Sequence, residues 1–516
     1  MSAATEAARP AVPGPVSRRL SGLIGALVGV LLGYVLLGTT MDLLTGGDGT
    51  RAGGGADWVG SVERILYGLL AVLTVGKVLV DRQWRRFRTG ADLGLLVLTL
   101  CMVLAGLVND STATLLGQAL YGYLHAVVIF YALRVADPGP ALVRRVLLGL
   151  GGLLAVNVVV ALAQLVAGEP AYRAVGWADS GWAAQGRAQG LLGDPDQLGQ
   201  VLGLALLGLL AYAAVSDKLR RGWWPAATVV AVALAATGSA GALAGVVVAA
   251  LLILLLVRAG AGRVLGVCLV LVCCTAALLV VRPEHRSGWQ VTANSGLSVV
   301  DRTAPPAGPP PAAGSATAEE PDLARTVGIL SRQPLLGFGI GQFGGPVAER
   351  DNPQWRDNPK FGTNDYRQNA GRTTTVNSFW LQLAMETGFL GVVAFLLWLL
   401  MVVRPLLARP AGGAPGAGAG GLSALVVWGV AAVALAVVTA FPSPSFGGPV
   451  LPALLWAVVG LAWWVRRQSE EARASVFTAE TALLPKVRRA EPDTHILSTD
   501  EILALARRAR RSDRRE

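Results

Sequence analysis

Apolar runs of about twenty residues recur along most of this 516-residue chain, and they constrain its fold more than any other feature. A helix of that length crosses a hydrocarbon core of about 30 Å. Lipid offers no hydrogen bonds, so each run must satisfy its own backbone as a helix. Charged residues make up 15% of the chain, against roughly 25% in soluble proteins. The sequence therefore predicts an all-α, polytopic membrane protein and excludes a soluble globular or disordered chain.

Twelve membrane-spanning helices are predicted from these runs. They lie near residues 20–37, 61–80, 91–108, 112–133, 146–167, 197–215, 223–238, 241–257, 264–281, 378–403, 421–440 and 450–465. Residues 223–257 count twice because one helix of that length would measure about 52 Å, and Thr237, Gly238 and Ser239 mark the turn. Five parts follow: a disordered N-terminus (1–19), spans one to nine (20–282), a large loop (283–377), spans ten to twelve (378–465) and a basic tail (466–516).

The arginines predict the orientation of these spans, since loops on the cytoplasmic side carry an excess of Lys and Arg. With the N-terminus inside, seventeen basic residues fall in the inner segments 1–19, 81–90, 134–145, 216–222, 258–263 and 404–420. The short outer loops hold four: Arg51, Arg64, Arg173 and Arg187. Both ends of the chain are therefore predicted to be cytoplasmic, and the large loop to lie outside. The net charge of +11 reflects this arrangement rather than a nucleic-acid partner.

Within the large loop, a Pro/Gly/Ala linker near residue 304 precedes a helical pattern from Asp322 to Arg332, which predicts a helix near the outer membrane surface. The four cysteines lie in apolar runs, so neither disulfides nor a metal site is predicted. His285 begins the loop and is a candidate imidazole donor or acceptor, against the alternative of an incidental loop histidine. His125, inside span four, is interpreted as a satisfied bundle residue. The outer aromatics are interpreted as belt or loop-packing residues: Tyr172, Trp177, Trp182, Trp289, Trp355, Phe361 and Tyr366.

Four motifs follow one another between residues 187 and 391 of the chain. They are the Arg187 motif (187–199, RAQGLLGDPDQLG), the Ser239 motif (236–243, ATGSAGAL), the glycine motif (329–343, ILSRQPLLGFGIGQF) and the Glu386 motif (377–391, NSFWLQLAMETGFLG). The glycine motif lacks the strand and helix of a nucleotide loop and predicts a tight turn. In order and topology the four motifs resemble the O-antigen ligase and polymerase family of membrane glycan transferases. The resemblance covers residues 185–405, and the remaining spans by layout.

The resemblance implies an activity. Such enzymes transfer a glycan from undecaprenyl pyrophosphate to an acceptor hydroxyl, on a glycan or a lipid-anchored sugar, at the outer face of the bacterial cytoplasmic membrane. No nucleotide or metal cofactor is implied, because the pyrophosphate is already a leaving group. The reaction needs cations that hold the diphosphate and a group that accepts the hydroxyl proton. The partners are then the lipid-linked donor, the acceptor and membrane lipids, without nucleic acid.

The resemblance also implies candidate site residues. Arg187 matches the family's arginine, and its guanidinium binds phosphate oxygens bidentately. Glu386 matches the family's acid and is a base or orienting group. Arg325 and Arg332 are candidate pyrophosphate contacts, against the alternative of a solvated helix face. Asp194 and Asp196 are candidates to pair with Arg187 or to contact sugar, against the alternative of turn and cap residues.

Two positions depart from the family pattern. Asn377 is the third candidate catalytic residue, but it stands where the ligases carry histidine, and an amide cannot act as a base. Ala240 stands where arginine usually follows the serine. The departures favour a polymerase-like member over a strict ligase. Two other classes stay open: a transporter or flippase of lipid-linked glycan, which twelve spans also fit, and a non-catalytic factor of glycan assembly.

Overall fold

The computed structural model describes most of the chain. Its described residues are 14–44, 58–177, 181–216, 221–257, 260–281, 299–301, 322–344, 347–348, 351–352, 354–355, 358–361, 374–376, 378–408 and 423–488. Two compact units divide the chain, Met1–Arg466 and Arg467–Glu516. The helical bundle and all described candidate site residues belong to the first unit. Asn377 and His285 lie outside the described residues, as does the side chain of Arg325.

Helices make up nearly all of the described structure. They are α1 (Pro15–Leu44), α2 (Trp58–Asp81), α3 (Gly90–Val108), α4 (Ala113–Leu124), α5 (Val127–Val135), α6 (Pro140–Ala167), α7 (Glu169–Ala174), α8 (Gly181–Ala184), α9 (Pro195–Val215), α10 (Trp223–Thr237), α11 (Ala240–Leu256), α12 (Ala261–Val281), α13 (Asp322–Leu330), α14 (Phe379–Leu407), α15 (Ala424–Thr439) and α16 (Val450–Arg488). A short antiparallel ribbon pairs β1 (Val299–Asp301) with β2 (Thr374–Val376).

Among the described helices, seven are long and apolar enough to cross a membrane: α1, α3, α6, α9, α12, α14 and the first part of α16. An eighth crossing is counted if α4 and α5 form one span. Three further apolar helices, α10, α11 and α15, have 15, 17 and 16 residues. The protein is therefore a polytopic helical membrane protein, as predicted, and every predicted span falls on a helix. The number of crossings stays a prediction.

The fourth predicted span is bent rather than straight. The axes of α4 and α5 meet at 58°, with His125 and Ala126 between them. His125 Nδ1 lies 2.8 Å from the carbonyl oxygen of Tyr121, one turn earlier, and the imidazole stacks on the Tyr121 ring. Its ring also meets Tyr67 edge-on. The prediction that His125 is a satisfied bundle residue is confirmed, whereas the bend depends on tertiary contacts that periodicity does not encode.

Helix α10 runs antiparallel to α9. Near the start of α10, the Trp223 indole donates to the Leu209 carbonyl oxygen (3.0 Å), in the second half of α9. At the other end, a Cβ on Gly199 would lie 3.1 Å from Thr237 Oγ1, so the end of α10 meets the start of α9.

Helix α11 then returns along α9 in the parallel direction. Gly203, one turn after Gly199, lies against Val246, nearly two turns into α11. The reversal between α10 and α11 occurs at Gly238, whose φ of +61° suits a residue without a Cβ, and Ser239 caps the next helix by accepting from Ala242 N. The two helices over 223–257 thus run in opposite directions, as the predicted turn requires.

Contacts between helix termini define two ends of the bundle. The predicted inner segments that are described meet at one end, called the basic end. Its defining contacts are Ser17 Oγ to Asp81 (3.0 Å), Arg134 to Asp92 (2.6 Å), Trp464 Nε1 to Asp137 (2.9 Å), Arg466 to Ala408 O (2.6 Å) and Arg263 to Ser216 O (2.5 Å). At the opposite end, called the motif end, the start of α9 meets the 237–239 turn, and Phe379 N donates to Ala440 O (3.0 Å).

Part of the predicted outer loop folds against the motif end. The predicted surface helix is present as α13. A small aromatic core lies beneath it, in which Trp355 is 2% and Phe361 1% exposed, so the interpretation of these two as packing residues is confirmed. The core includes Leu381 and Met385 of α14 and is completed by Ile329, Leu330, Phe338, Phe343 and Ala348. The described part of the loop is thereby attached to α14 by apolar burial.

Candidate functional site

Arg187 lies at the motif end, in the irregular segment between α8 and α9. Its side chain is 1% exposed. Nε donates to the Thr237 carbonyl oxygen and Nη2 to Asp196 Oδ1, each at 2.9 Å. The Trp182 ring lies over the guanidinium, with its centroid 4.8 Å from Cζ. A buried arginine is costly in a membrane protein without such partners, so these contacts hold the cation in one place.

Two amide side chains of α6 hold the turn that follows Arg187. Gln164 Oε1 accepts from the backbone N–H groups of Gln189 and Gly190, both at 2.9 Å. Asn157 Oδ1 accepts from Leu191 N at 3.0 Å. Asn157 and Gln164 are seven residues apart and therefore lie on one face of the helix. Buried irregular backbone needs such partners, and here neutral side chains supply them.

The two aspartates beside Arg187 have different positions. Asp194 caps α9, because its Oδ1 accepts from Asp196 N (2.8 Å) and Gln197 N (3.4 Å). Asp196 forms the ion pair with Arg187 and keeps 27% of its side chain exposed. Of the two readings given by the sequence, the cap describes Asp194 and the arginine partner describes Asp196.

The Arg187 motif and the Ser239 motif are in direct contact. Besides the bond from Arg187 to Thr237 O, Ala188 N donates to Ala236 O (3.0 Å). A Cβ on Gly238 would lie 3.4 Å from Arg187 Nε, which is van der Waals contact, so the turn packs directly against the arginine side chain. Two motifs about fifty residues apart in the chain thus form one site.

The glycine motif and the Glu386 motif interlock at a break in α14. Gly388 has φ 66° and ψ −170°, which interrupts the helix and frees backbone groups on both sides. Segment 334–339 binds those groups. Phe338 N and Gly339 N donate to the carbonyl oxygens of Met385 and Glu386 (2.8 and 3.0 Å), and the amides of residues 389 and 390 donate to those of residues 334 and 335 (2.8 and 3.3 Å). The break therefore leaves these backbone groups paired.

Glycine is required on both sides of this interlock. A Cβ on Gly388 would lie 2.3 Å from the carbonyl carbon of Leu335, and one on Gly337 would lie 2.5 Å from Met385 O. Both glycines also have positive φ, +66° and +61°. The expectation of a turn in the glycine motif is confirmed, and its contact with α14 explains the glycine at position 337.

Glu386 lies at the centre of the interlock and is 1% exposed. The Tyr123 hydroxyl donates to Oε2 at 2.7 Å, and Gln382 Nε2 donates to Oε1 at 3.4 Å. The backbone N–H groups of Gly341 and Phe343 also donate to this carboxylate. Four donors from three parts of the chain thus meet on one side chain, which binds the glycine motif to α14 and α4.

A series of contacts links the Arg187 and Glu386 centres. Gln200, one turn after Asp196, donates to Ser443 Oγ (3.2 Å). Phe379, the first residue of α14, donates its backbone N–H to Ser443 O (3.3 Å). The Phe379 and Tyr123 rings meet edge-on, with 5.9 Å between their centroids. Tyr123 in turn binds Glu386. All four motifs therefore have described residues at the motif end of the bundle.

Of the remaining candidates, Arg332 has a structural role, whereas the side chain of Arg325 and all of Asn377 lie outside the described residues. Arg332 Nη1 donates to Phe361 O (2.7 Å), which joins the end of α13 to the aromatic core. Arg325 belongs to α13, and its side chain is outside the description, as is all of Asn377. Among the residues that are described, no group of three or more His, Cys, Asp and Glu side chains is arranged to hold a metal ion.

Sequence reasoning missed several polar residues that build these centres. Tyr123, Asn157 and Gln164 lie within apolar spans, and Asn109 follows one. Asn109 Nδ2 donates to Gly337 O (3.1 Å), and its Oδ1 accepts from Lys360 Nζ (3.1 Å). Tyr123, Asn157 and Gln164 could each have been noticed as a single polar residue in an apolar span, because such a side chain is tolerated there only where it has a hydrogen-bond partner. The sequence did not indicate which partner.

Comparison with models of known protein families finds no match to this chain. Comparison with curated protein sequences finds no match either.

Proposed function

We propose that the protein is an integral membrane glycosyltransferase of the O-antigen ligase and polymerase type. In this proposal it transfers an oligosaccharide from undecaprenyl pyrophosphate to an acceptor hydroxyl at the outer face of the bacterial cytoplasmic membrane. One observation carries the proposal. The four motifs that resemble this family are spread over about 200 residues, yet their described parts meet at one end of the bundle.

The proposed orientation has twelve crossings and both chain ends in the cytoplasm. The basic end carries exposed arginines such as Arg82, Arg88, Arg144 and Arg404, as expected for the cytoplasmic side. The motif end is then outside, where a lipid-linked glycan is presented and where the large loop 283–377 begins and ends.

The chemistry assigns Arg187 to the donor. Attack of the acceptor oxygen on the anomeric carbon forms the new glycosidic bond and releases the polyprenyl diphosphate, whose charge the guanidinium binds. The hydroxyl proton passes to a carboxylate or to another group of the outer loop. Glu386 already accepts four hydrogen bonds, which favours a role in holding the glycine motif beside the site, with the proton acceptor in the loop. Neither a metal nor a nucleotide enters this reaction.

The test is reconstitution with a synthetic polyprenyl-diphosphate glycan and measurement of released carrier. The wild-type protein should release carrier in step with polymer or ligated product. Arg187→Ala should abolish release, and Arg187→Lys should reduce it, because a point charge loses the bidentate geometry. Size-exclusion profiles establish that each variant is folded. Arg173→Ala, which removes an exposed arginine of α7, is the matched control and should behave as wild type. Full release by Arg187→Ala would contradict the assignment.

A non-catalytic assembly factor is the second candidate. Arg187 and Glu386 both have protein partners in this structure, and Asn377 and Ala240 replace the charged residues of the family pattern. Donor binding without carrier release would select this function. A flippase is distinguished in cells that lack the protein: donor accumulates inside if transport is lost and outside if transfer is lost.

A further inference from the structure

The guanidinium of Arg187 is held by partners of two kinds. Thr237 contributes a backbone carbonyl at the end of α10, and Trp182 contributes the face of a ring. Neither carries charge. Asp196 contributes the counter-charge and is 27% exposed, whereas Arg187 is 1% exposed. Solvent therefore reaches the ionic partner but not the guanidinium itself.

The ion pair has a simple energetic reason. A buried cation without a counter-ion is strongly destabilising, so an arginine intended for an anionic ligand needs a carboxylate while the ligand is absent. Replacing that carboxylate by a phosphate oxygen keeps the cation paired. Asp196 lies in the first turn of α9, where the helix dipole favours negative charge, so the released carboxylate has a favourable place near water.

We propose that Asp196 is the resting counter-ion of Arg187 and that a diphosphate group displaces it. Arg187 keeps its bond to Thr237 and its contact with Trp182, and the diphosphate takes the Nη edge that Asp196 leaves. The identity of the ligand as a diphosphate rests on the proposed function, whereas the displacement follows from the burial and geometry of the pair. The bound diphosphate belongs either to a lipid carrier or to a free anion.

The experiment measures thermal stabilisation of the purified full-length protein by two probes, inorganic pyrophosphate and farnesyl diphosphate. Asp196→Asn keeps a hydrogen-bond acceptor and removes the competing charge. In the wild type, a probe binds only the molecules in which Asp196 has left Arg187, so the apparent affinity is reduced by that fraction. Asp196→Asn should raise the fraction and lower the half-saturating probe concentration by roughly tenfold. Tightening for farnesyl diphosphate alone identifies a lipid headgroup site, and tightening for both probes identifies a site for diphosphate in general. Arg187→Ala combined with Asp196→Asn should remove the gain.

Two further variants separate displacement from general electrostatics and from misfolding. Asp194→Asn makes the same charge change two residues away and keeps a good helix cap, so it should match wild type. Asp196→Glu keeps a counter-ion and should also stay near wild-type affinity, which covers the case in which Asp196→Asn does not fold. Equal gains in Asp194→Asn and Asp196→Asn, tighter binding by Asp196→Glu, or no gain in Asp196→Asn would each overturn the proposal.

These outcomes are distinct from failure of the proposed function. If Asp196→Asn binds diphosphate more tightly but the wild type releases no carrier, the counter-ion proposal is supported and the proposed transferase function is contradicted. If the wild type releases carrier but Asp196→Asn shows no gain in diphosphate affinity, the transferase function is supported and the counter-ion proposal is contradicted.

Discussion

The two ends of the bundle use buried charge differently. At the basic end, Lys77 (3% exposed) binds Ser17 and Asp81, and Arg134 (7% exposed) binds Asp92. These ion pairs join the ends of regular helices, although Arg134 also donates to the Arg86 carbonyl oxygen, and the centroid of the Trp463 ring lies 4.9 Å from Arg134 Cζ. At the motif end, buried polar groups chiefly bind irregular backbone: the turn after Arg187, the turn before Ser239 and the segment inserted at Gly388.

This difference separates a structural closure from a candidate site. Paired charges that connect helix ends resist separation of the helices, and both Asp81 and Asp92 are at most 15% exposed. Irregular backbone costs free energy until other groups pair it, and inside a membrane it is tolerated only where it is buried in protein or lines a water-filled cavity. Substitutions at the two ends should therefore differ in what they impair, and the following predictions test this from the largest effect to the smallest.

Gly388→Ala should have the largest effect. The added Cβ would lie 2.3 Å from the Leu335 backbone, in a conformation with φ +66° that alanine rarely adopts. Segment 334–339 must then leave the break, which exposes the backbone groups it pairs. We expect loss of monodisperse protein in detergent, measured by size-exclusion chromatography. Gly149→Ala, in α6 with nothing within 4 Å, is the control and should be neutral. Normal folding of Gly388→Ala would contradict the interlock.

Arg134→Ala should destabilise the basic end without a specific effect on transfer. It leaves the Asp92 carboxylate buried without its cation, which costs about 3–5 kcal/mol in comparable pairs. Thermal unfolding measures the loss, and carrier release per folded molecule should stay at the wild-type value. Arg145→Ala, an exposed arginine of α6, is the matched control. A selective loss of turnover in Arg134→Ala would extend the site to the basic end.

Glu386→Ala should loosen the interlock by a smaller amount. It leaves the donors of Tyr123, Gly341 and Phe343 without their acceptor, at a cost of about 2–3 kcal/mol. Glu386→Gln keeps one acceptor oxygen and should lose less, and Tyr123→Phe removes a single donor and should cost about 1 kcal/mol. Thermal unfolding gives the order of the three. If Glu386→Gln abolishes transfer while its stability stays at the wild-type value, the carboxylate acts as a base instead.

Arg173→Ala should have the smallest effect. Its ion pair with Glu169 on α7 is exposed, at 72% and 70% of the two side chains. Such pairs are screened by water, so we expect a change below about 0.5 kcal/mol in unfolding free energy. A larger loss of unfolding free energy would contradict this expectation and would show that the exposed ion pair holds α7 in place.

The sequence predicted the residues of the two centres better than their contacts. Arg187 and Glu386 were named from a resemblance, and both are buried at the motif end. The partner of Arg187 was among the candidates, whereas Gln164, Asn157 and Tyr123 were not, because one polar residue in an apolar span has no periodic signal. The glycine motif was expected to turn, but nothing local indicates that it enters a break in α14 some fifty residues later.

What the sequence determined alone was the set of helices and the two ends to which they run. Lipid requires each span to pair its own backbone, so length and hydropathy are sufficient, and the arginines separate the ends. Only the tertiary structure decided where the helices break and which side chains pair the freed groups. Those choices depend on contacts between residues such as Gly337 and Gly388, whose fit is a property of two segments together.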